Sequence, residues 1–263
     1  MTIKCREIIE VLENFAPSKY ALEDDPIGLQ LGHPNQTVRK LFIALELNDA
    51  VLQEALDFGA QMIVVHHTPF FKPFKQLRED SFHDHVVLTM IRHHMALYTA
   101  HTNLDCVRGG VNDVLASRLG LGEIEILEPL NQNIVTVGLG RIGLLPEPMT
   151  LKAFAQAAAA QLETTNIRYC GDPETQVRKV AVCGGTGSFL MLQAIQKGAQ
   201  VFVTADVKHH EALQALDMGL CLVDGGHYAT ERPAMTVLAR HLAQLLDDVE
   251  IAEAKGHTDP FRV

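Results

Sequence analysis

Three short stretches of the chain bring imidazole and carboxylate side chains close together: His66-His67-Thr68-Pro69, His101-Thr102-Asn103-Leu104-Asp105 and Gly225-Gly226-His227-Tyr228-Ala229-Thr230-Glu231. Two of them repeat one spacing, a histidine four residues before an acid. Imidazole and carboxylate are the ligand types that borderline divalent metals prefer. Each stretch ends or follows an apolar, strand-like run: Met62–Val65, Met95–Ala100 and Leu220–Val223. In a regular strand His66 and His67 would face opposite sides, whereas at a strand's end, where Thr68-Pro69 turns the chain, both can project into one cavity. His101 and Asp105, and likewise His227 and Glu231, share a face wherever the chain is locally helical. Taken singly, each has a plainer reading. The histidine pair could be hydrogen-bonded structure, and Glu231, just ahead of Arg232-Pro233, could cap a helix. Taken together they predict a buried metal centre with more than one ion. Two such ions can polarise a substrate oxygen and deprotonate a shared water, which points to hydrolysis or hydrolytic ring opening. With no thiolate in the set, Zn, Mn, Fe, Co and Ni all stay open.

The elements that must position these residues alternate between helical and strand periodicity. Residues 5–15 read as a helix with Ile8, Ile9, Leu12 and Phe15 on one face. Asp24–Gly32 reads as a turn-rich segment holding a short strand, and Leu41–Leu45 as a strand. A helix over 49–58 is stopped by Gly59, and strand Met62–Val65 leads into His66. A helix over 82–94, strand Met95–Ala100 and a helix from Val111 to Leu119 follow. Next come strand Ile134–Leu139, an alanine-rich helix Leu151–Leu162 and a short strand at Arg168–Cys170. The remainder reads as strand Val180–Cys183, a glycine-rich turn Gly184–Ser188, a helix near 188–197, strand Val201–Thr204, a helix near 209–217, strand Leu220–Val223 and a helix from Arg232 to Leu246. The glycine-rich turn is a candidate for anion contact through backbone amides, without the Lys-Ser/Thr ending of a P-loop. His83, His85, His93, His94, His209 and His210 fall where solvent-facing helix surface is expected.

The second half restates the first. At one fixed offset (179 − 40 = 139), Lys40 falls on Lys179, Ala55 on Ala194, Gly59-Ala60-Gln61 on Gly198-Ala199-Gln200 and Val64 on Val203. The same offset puts Ala205 and Asp206 where the first half has His66 and His67, so the second copy has lost the histidine pair. The fold expected is α/β: two related α/β halves from an internal duplication, residues 1–125 and 126–263, packed as one body with a metal cleft between them. The C-terminal helix is free to pack back on the first half. In such sheets, residues just past the strand C-termini line the ligand crevice.

Bulk composition excludes some partners. The formal net charge is −10 over 263 residues, which argues against a general nucleic-acid-binding surface. No apolar run approaches the length of a membrane span, and the first residues lack a signal-peptide core. The five scattered cysteines form no Cys-x-x-Cys pair, as expected of reduced thiols in a cytoplasmic protein.

The motifs Ile63-Val64-Val65-His66-His67, His101–Asp105, Val137-Gly138-Leu139-Gly140-Arg141-Ile142-Gly143, Val180–Gly187 and Gly226–Glu231 together resemble the GTP cyclohydrolase 1 type 2 homologs, the YbgI-like dinuclear-metal proteins, over essentially the whole chain. The resemblance implies two divalent metal ions per chain held by His66, His67, Asp105, His227 and Glu231. It places His101 beside the ions, as a neighbour or as an active-site residue that shuttles a proton for a metal-bound hydroxide. It implies a homohexameric ring and a small-molecule, nucleotide-like substrate, with opening of the guanine imidazole ring of GTP as the named reaction. The alternative is a metal-dependent scaffold or regulatory protein that binds a partner or DNA without turnover. The chain departs from the usual pattern at Asp24-Asp25-Pro26-Ile27-Gly28, at Leu45-Glu46 and at Thr68, which bears on loop contacts and substrate choice.

Overall fold

The computed structural model describes residues 2–70, 74–131, 134–256 and 258–261, and at 82 and 83 the backbone alone. Along the chain run α1 (Cys5–Phe15), β1 (Gly28–Leu31), β2 (Lys40–Ala44), α2 (Asp49–Phe58), β3 (Met62–Val65), α3 (Phe82–Arg92), β4 (Ala96–Thr99) and α4 (Thr102–Cys106). There follow α5 (Val111–Arg118), β5 (Gly122–Asn131), β6 (Ile134–Thr150), α6 (Leu151–Gln161), β7 (Arg168–Cys170), β8 (Gln176–Thr186), α7 (Met191–Gln196), β9 (Val201–Ala205), α8 (His209–Asp217), β10 (Cys221–Asp224), α9 (His227–Leu245) and β11 (Glu250–Glu253). The chain divides into two compact units: residues 1–104 with 235–258, and residues 105–234 with 259–263.

In the first unit the sheet order is β1-β4-β3-β2-β11. Strands β11, β2, β3 and β4 are parallel, and β1 is antiparallel to β4. A parallel strand covered on both faces reads as an unbroken apolar run, and every residue of β3 and β4 is buried. Alternate residues serve opposite faces: Phe42, Ile63, Val65 and Leu97 pack under Val51, Leu52 and Ala55 of α2 and Val86 and Met90 of α3. On α1 the buried stripe is Cys5, Ile8 and Leu12, and the Cys5 thiol meets the Met62 sulfur. Phe15 of α1 stacks with His241 of α9 at 4.4 Å. Helix α2 starts at Asn48, whose side chain accepts from the Val51 amide, and stops at Gly59 in the left-handed conformation with φ 79°, an N-cap and a C-cap each doing its usual work.

The second unit holds a sheet of order β5-β6-β8-β9-β10-β7. Strands β8, β9 and β10 are parallel, β7 is antiparallel to β10, and β5 and β6 form an antiparallel flank on β8. Val180, Val182, Val201, Val203 and Val223 face α5 and α6, while Ala181, Phe202 and Leu222 face α7 and α8. Arg141 on β6 is wholly buried. Its guanidinium is ion-paired with Asp113 and donates to the carbonyls of Gly138, Gly140, Cys106 and Val107. Burial pulls this guanidinium's pKa down from its usual value against the opposing pull of Asp113, and the carbonyls it satisfies pin the turn just after α4.

The duplication is visible atom by atom. Gln61 Oε1 accepts from the amides of Arg39 and Lys40 at 2.9 Å, and Gln200 Oε1 accepts from Arg178 and Lys179 at 2.8 Å. Gln61 N donates to Lys40 O and Gln200 N to Lys179 O; Ala60 N reaches Ala55 O and Ala199 N reaches Ala194 O. The preceding glycines, Gly59 and Gly198, both have positive φ. The repeated Gly-Ala-Gln is thus one device used twice: a helix stop followed by a side chain that ties the starts of two neighbouring strands.

Four segments differ from the sequence expectation. Helix α9 begins at His227 instead of Arg232 and carries Pro233 inside it, so His227 and Glu231 occupy its first turns. The stretch Gly184–Thr186 is the end of β8, not a turn. The amides of Gly184, Gly185 and Gly187 are bonded to Asn112 Oδ1, Thr230 Oγ1 and Thr204 Oγ1. Those three donors are therefore committed within the fold and are not offered to an anion. Strands β5 and β11 were not foreseen: β5 does alternate at Glu123-Ile124-Glu125-Ile126, whereas β11 is only four residues long and has no clear alternation.

Candidate metal site

The parallel register delivers the first group of side chains. His66 and His67 leave the end of β3, their amides both donating to Leu45 O. His66 is fully buried, and its Nδ1 lies 2.8 Å from Ala100 O. His67 Nδ1 lies 3.3 Å from Glu46 Oε2. His101, two residues beyond β4, sets Nδ1 2.8 Å from Asp25 Oδ1. The rings stand 5.0 Å apart for His66–His67, 5.0 Å for His66–His101 and 5.8 Å for His67–His101. One ligand atom from each lies within 4.8 Å of the others. The Asp25 carboxylate also accepts from the amide and hydroxyl of Thr102. Burial raises the Asp25 pKa, but the hydrogen bonds from His101 and Thr102 outweigh it and hold the carboxyl below the ordinary carboxylate range.

The second group stands at the end of β10. His227 opens α9, and Glu231, one turn on, is buried with Oε2 3.1 Å from His227 Nε2. His227 Nδ1 lies 2.7 Å from Asp206 Oδ2. Asp206 follows β9 with φ 54°, a left-handed conformation that an aspartate tolerates better than most residues. Its carboxylate also accepts from Thr186 Oγ1 at 2.7 Å. Burial raises the Asp206 pKa, and the bonds from His227 and Thr186 more than reverse it. Gly185 makes room for this pair: a Cβ there would lie 2.1 Å from Glu231 Oε1 and 3.0 Å from His227 Nε2.

Asp105 sits near the end of α4, with its carbonyl taking a bond from Asn112 Nδ2 at 3.1 Å. Its carboxylate acts, with Glu231, on the buried Cys183: burial pushes this thiol up, and the two carboxylates push it further. Cys183 and the other four cysteines are free thiols. His85, His93, His94, His209 and His210 are exposed, whereas the side chain of His83 lies outside the described residues.

These residues fit divalent ions by the chemistry of their donors. His66, His67, His101 and His227 each set Nδ1 against an oxygen that can only accept, so Nδ1 carries the proton and Nε2 presents a lone pair. A carbonyl or carboxylate behind each imidazole is how proteins fix the tautomer of a metal-binding histidine. His227 adds a sharper point. Its Nε2 faces a carboxylate oxygen, and two acceptors at 3.1 Å repel unless a proton or a cation lies between them. The sequence did not reveal Asp25, Glu46 and Asp206 as the groups behind the imidazoles. For Asp206 there was a signal, since the repeat places it on His67; for Asp25 there was none, because it lies far from His101 in the chain.

A model of the Duf34/NIF3 (NGG1p interacting factor 3) family matches residues 3–260. The chain is 35% identical to a GTP cyclohydrolase 1 type 2 homolog of Streptomyces coelicolor, covering 97% of this chain and 92% of that one. It is 31% identical to the protein of the same name from Streptococcus pneumoniae, covering 97% of both. In three dimensions it is similar to a Bacillus cereus protein related to NIF3, with TM-score 0.95, 29% identity and 99% of each chain covered. With a matched family model spanning nearly its whole length and clustered imidazole and carboxylate groups at its strand ends, the chain belongs to the Duf34/NIF3 (NGG1p interacting factor 3) family.

Proposed function

We propose that the protein holds two divalent metal ions through His66, His67, Asp105, His227 and Glu231 and uses them as a hydrolase of the GTP cyclohydrolase 1 type 2 kind. The observation that carries this is that the Nδ1 atoms of His66, His67 and His227 are each committed to an oxygen acceptor, which leaves Nε2 as the ligand atom. When bound, such ions supply Lewis acidity toward a substrate oxygen and acidify water. The chain's own residues do the rest. Ala100 O and Glu46 orient His66 and His67, Asp206 orients His227, and Asp25 holds His101 so that Nε2 can take and return a proton. A nucleotide such as GTP is the proposed substrate, a homohexamer the proposed assembly and the cytoplasm the proposed location. Among the described residues no helix is long and apolar enough to cross a membrane.

Elemental analysis of the purified protein, beside His66→Ala and Glu231→Ala, tests the site. About two ions per chain are expected in the parent and a loss in both variants. Full metal content in both variants would overturn the ligand assignment. Formate release from GTP by the loaded parent, absent in His101→Ala at unchanged metal content, tests the reaction.

A further inference from the structure

A cavity of about 200 Å³ opens in the second unit beside edge strand β7, walled by Arg168, Tyr169, Cys170, Lys208, His209 and Asp224 among others. We infer that it is an anion subsite taking a phosphate or carboxylate group of a small molecule.

The charge at the cavity is unusual for this chain. The protein carries a formal net charge of −10, yet a guanidinium, an ammonium and an imidazole line one hollow with a single acid. That acid is already committed. Asp224 is buried, and its carboxylate accepts from Arg168 Nη2 at 2.5 Å, Val207 N at 3.3 Å and Gly226 N at 3.1 Å. The ion pair therefore fixes Arg168 at one end, while 72% of its side chain stays exposed and most of its five donors remain to be used. A guanidinium held in place is suited to planar or tetrahedral oxyanions, and a lysine beside it adds a point charge. Among the described residues, the carboxylate paired with Lys208 Nζ is that of Glu211, at a long 3.9 Å.

The size limits the ligand. Pockets for drug-sized molecules run from roughly 300 Å³ upward, so this hollow suits one anionic group, with Tyr169 forming an apolar wall. Burial raises the Cys170 thiol above its usual value. The location gives the subsite a use. Arg168 and Asp224 are register partners at the carboxyl ends of the parallel strands, where open α/β sheets bind ligands. Gly226, bonded to Asp224, directly precedes His227, and Val207 directly follows Asp206. In the first unit the matching register pair is Gly28 with Thr99, which brings no charge to that position.

Anion binding stands on this geometry alone; its use as the anchor of a substrate rests on the hydrolase reading. The test is a calorimetric titration of the full-length, chelator-stripped protein with inorganic phosphate and, separately, with malonate. Binding of either, weakened about tenfold or more by Lys208→Glu and by Arg168→Ala, supports the subsite, and the better ligand identifies the anion. No binding of either anion to the parent, or parent-like affinity in Lys208→Glu, overturns it. Because metal is absent throughout, failure here leaves the elemental analysis untouched, and an empty metal site would leave this result standing.

Discussion

At the end of β3 the chain places His66 and His67; at the matched end of β9 it places Ala205 and Asp206. Around these positions the two units are alike. Each contains a run of three parallel strands, β2-β3-β4 and β8-β9-β10, with an antiparallel strand beside the third, and each run is tied by a glutamine at the same offset. Even the exits match: Ala100 N donates to Val65 O and Gly225 N to Thr204 O. What differs is which element supplies the acid. In the first unit Glu46, just past β2, stands behind His67. In the second the matched position is Gly185 (46 + 139), and the acid has moved to Asp206, behind His227. The scaffold is held by backbone hydrogen bonds, which any non-proline residue can make, so the side chains just past the strand ends can change role while the strands stay in place. That is how one duplicated half can supply a histidine group and the other a histidine–carboxylate pair.

The comparison can be broken most forcefully at Gly185. Its counterpart Glu46 carries a side chain, but at Gly185 a Cβ would overlap Glu231 at a φ of +60°. Gly185→Ala is expected to cost about 2–4 kcal/mol, read from denaturant unfolding, and to lower metal content. A variant as stable as the parent would show that the second unit has no such cradle. The paired carboxylates come next. Asp206→Asn should weaken metal affinity about 10–100-fold in a competitive chelator titration. Asp25→Asn should leave it within about threefold, because Asp25 stands behind His101, a proton carrier and not a ligand in this assignment; an equal loss in both would make His101 a ligand. The smallest effect belongs to the shared clasp. Gln61→Ala and Gln200→Ala should each cost about 1 kcal/mol, since the freed amides lie near solvent. Costs that differ by more than about 1 kcal/mol would mean that the two clasps are not equivalent.

Much of this was legible beforehand. Helix α2 announced itself by its apolar period and Gly59, and the buried strands β3 and β4 by unbroken apolar runs. The clusters at His66, His101 and His227 stood out because rare residue types recur after such runs. The start of α9 was misread because Pro233 favours a first turn, yet the helix extends back to His227. Strand β11 was invisible locally: Glu250–Glu253 becomes a strand because it lies beside β2 in register with Lys40–Ile43, with Lys40 pairing with Glu250 at 3.3 Å.

The sequence by itself determined the period of each central element, the duplication and the kind of chemistry on offer, because burial pattern, caps and ligand types are local properties of residues. Only the tertiary structure decided which oxygen stands behind which imidazole. Asp25 with His101, Glu46 with His67 and Asp206 with His227 are contacts made by sheet order and register, and a linear chain does not encode those at any fixed spacing.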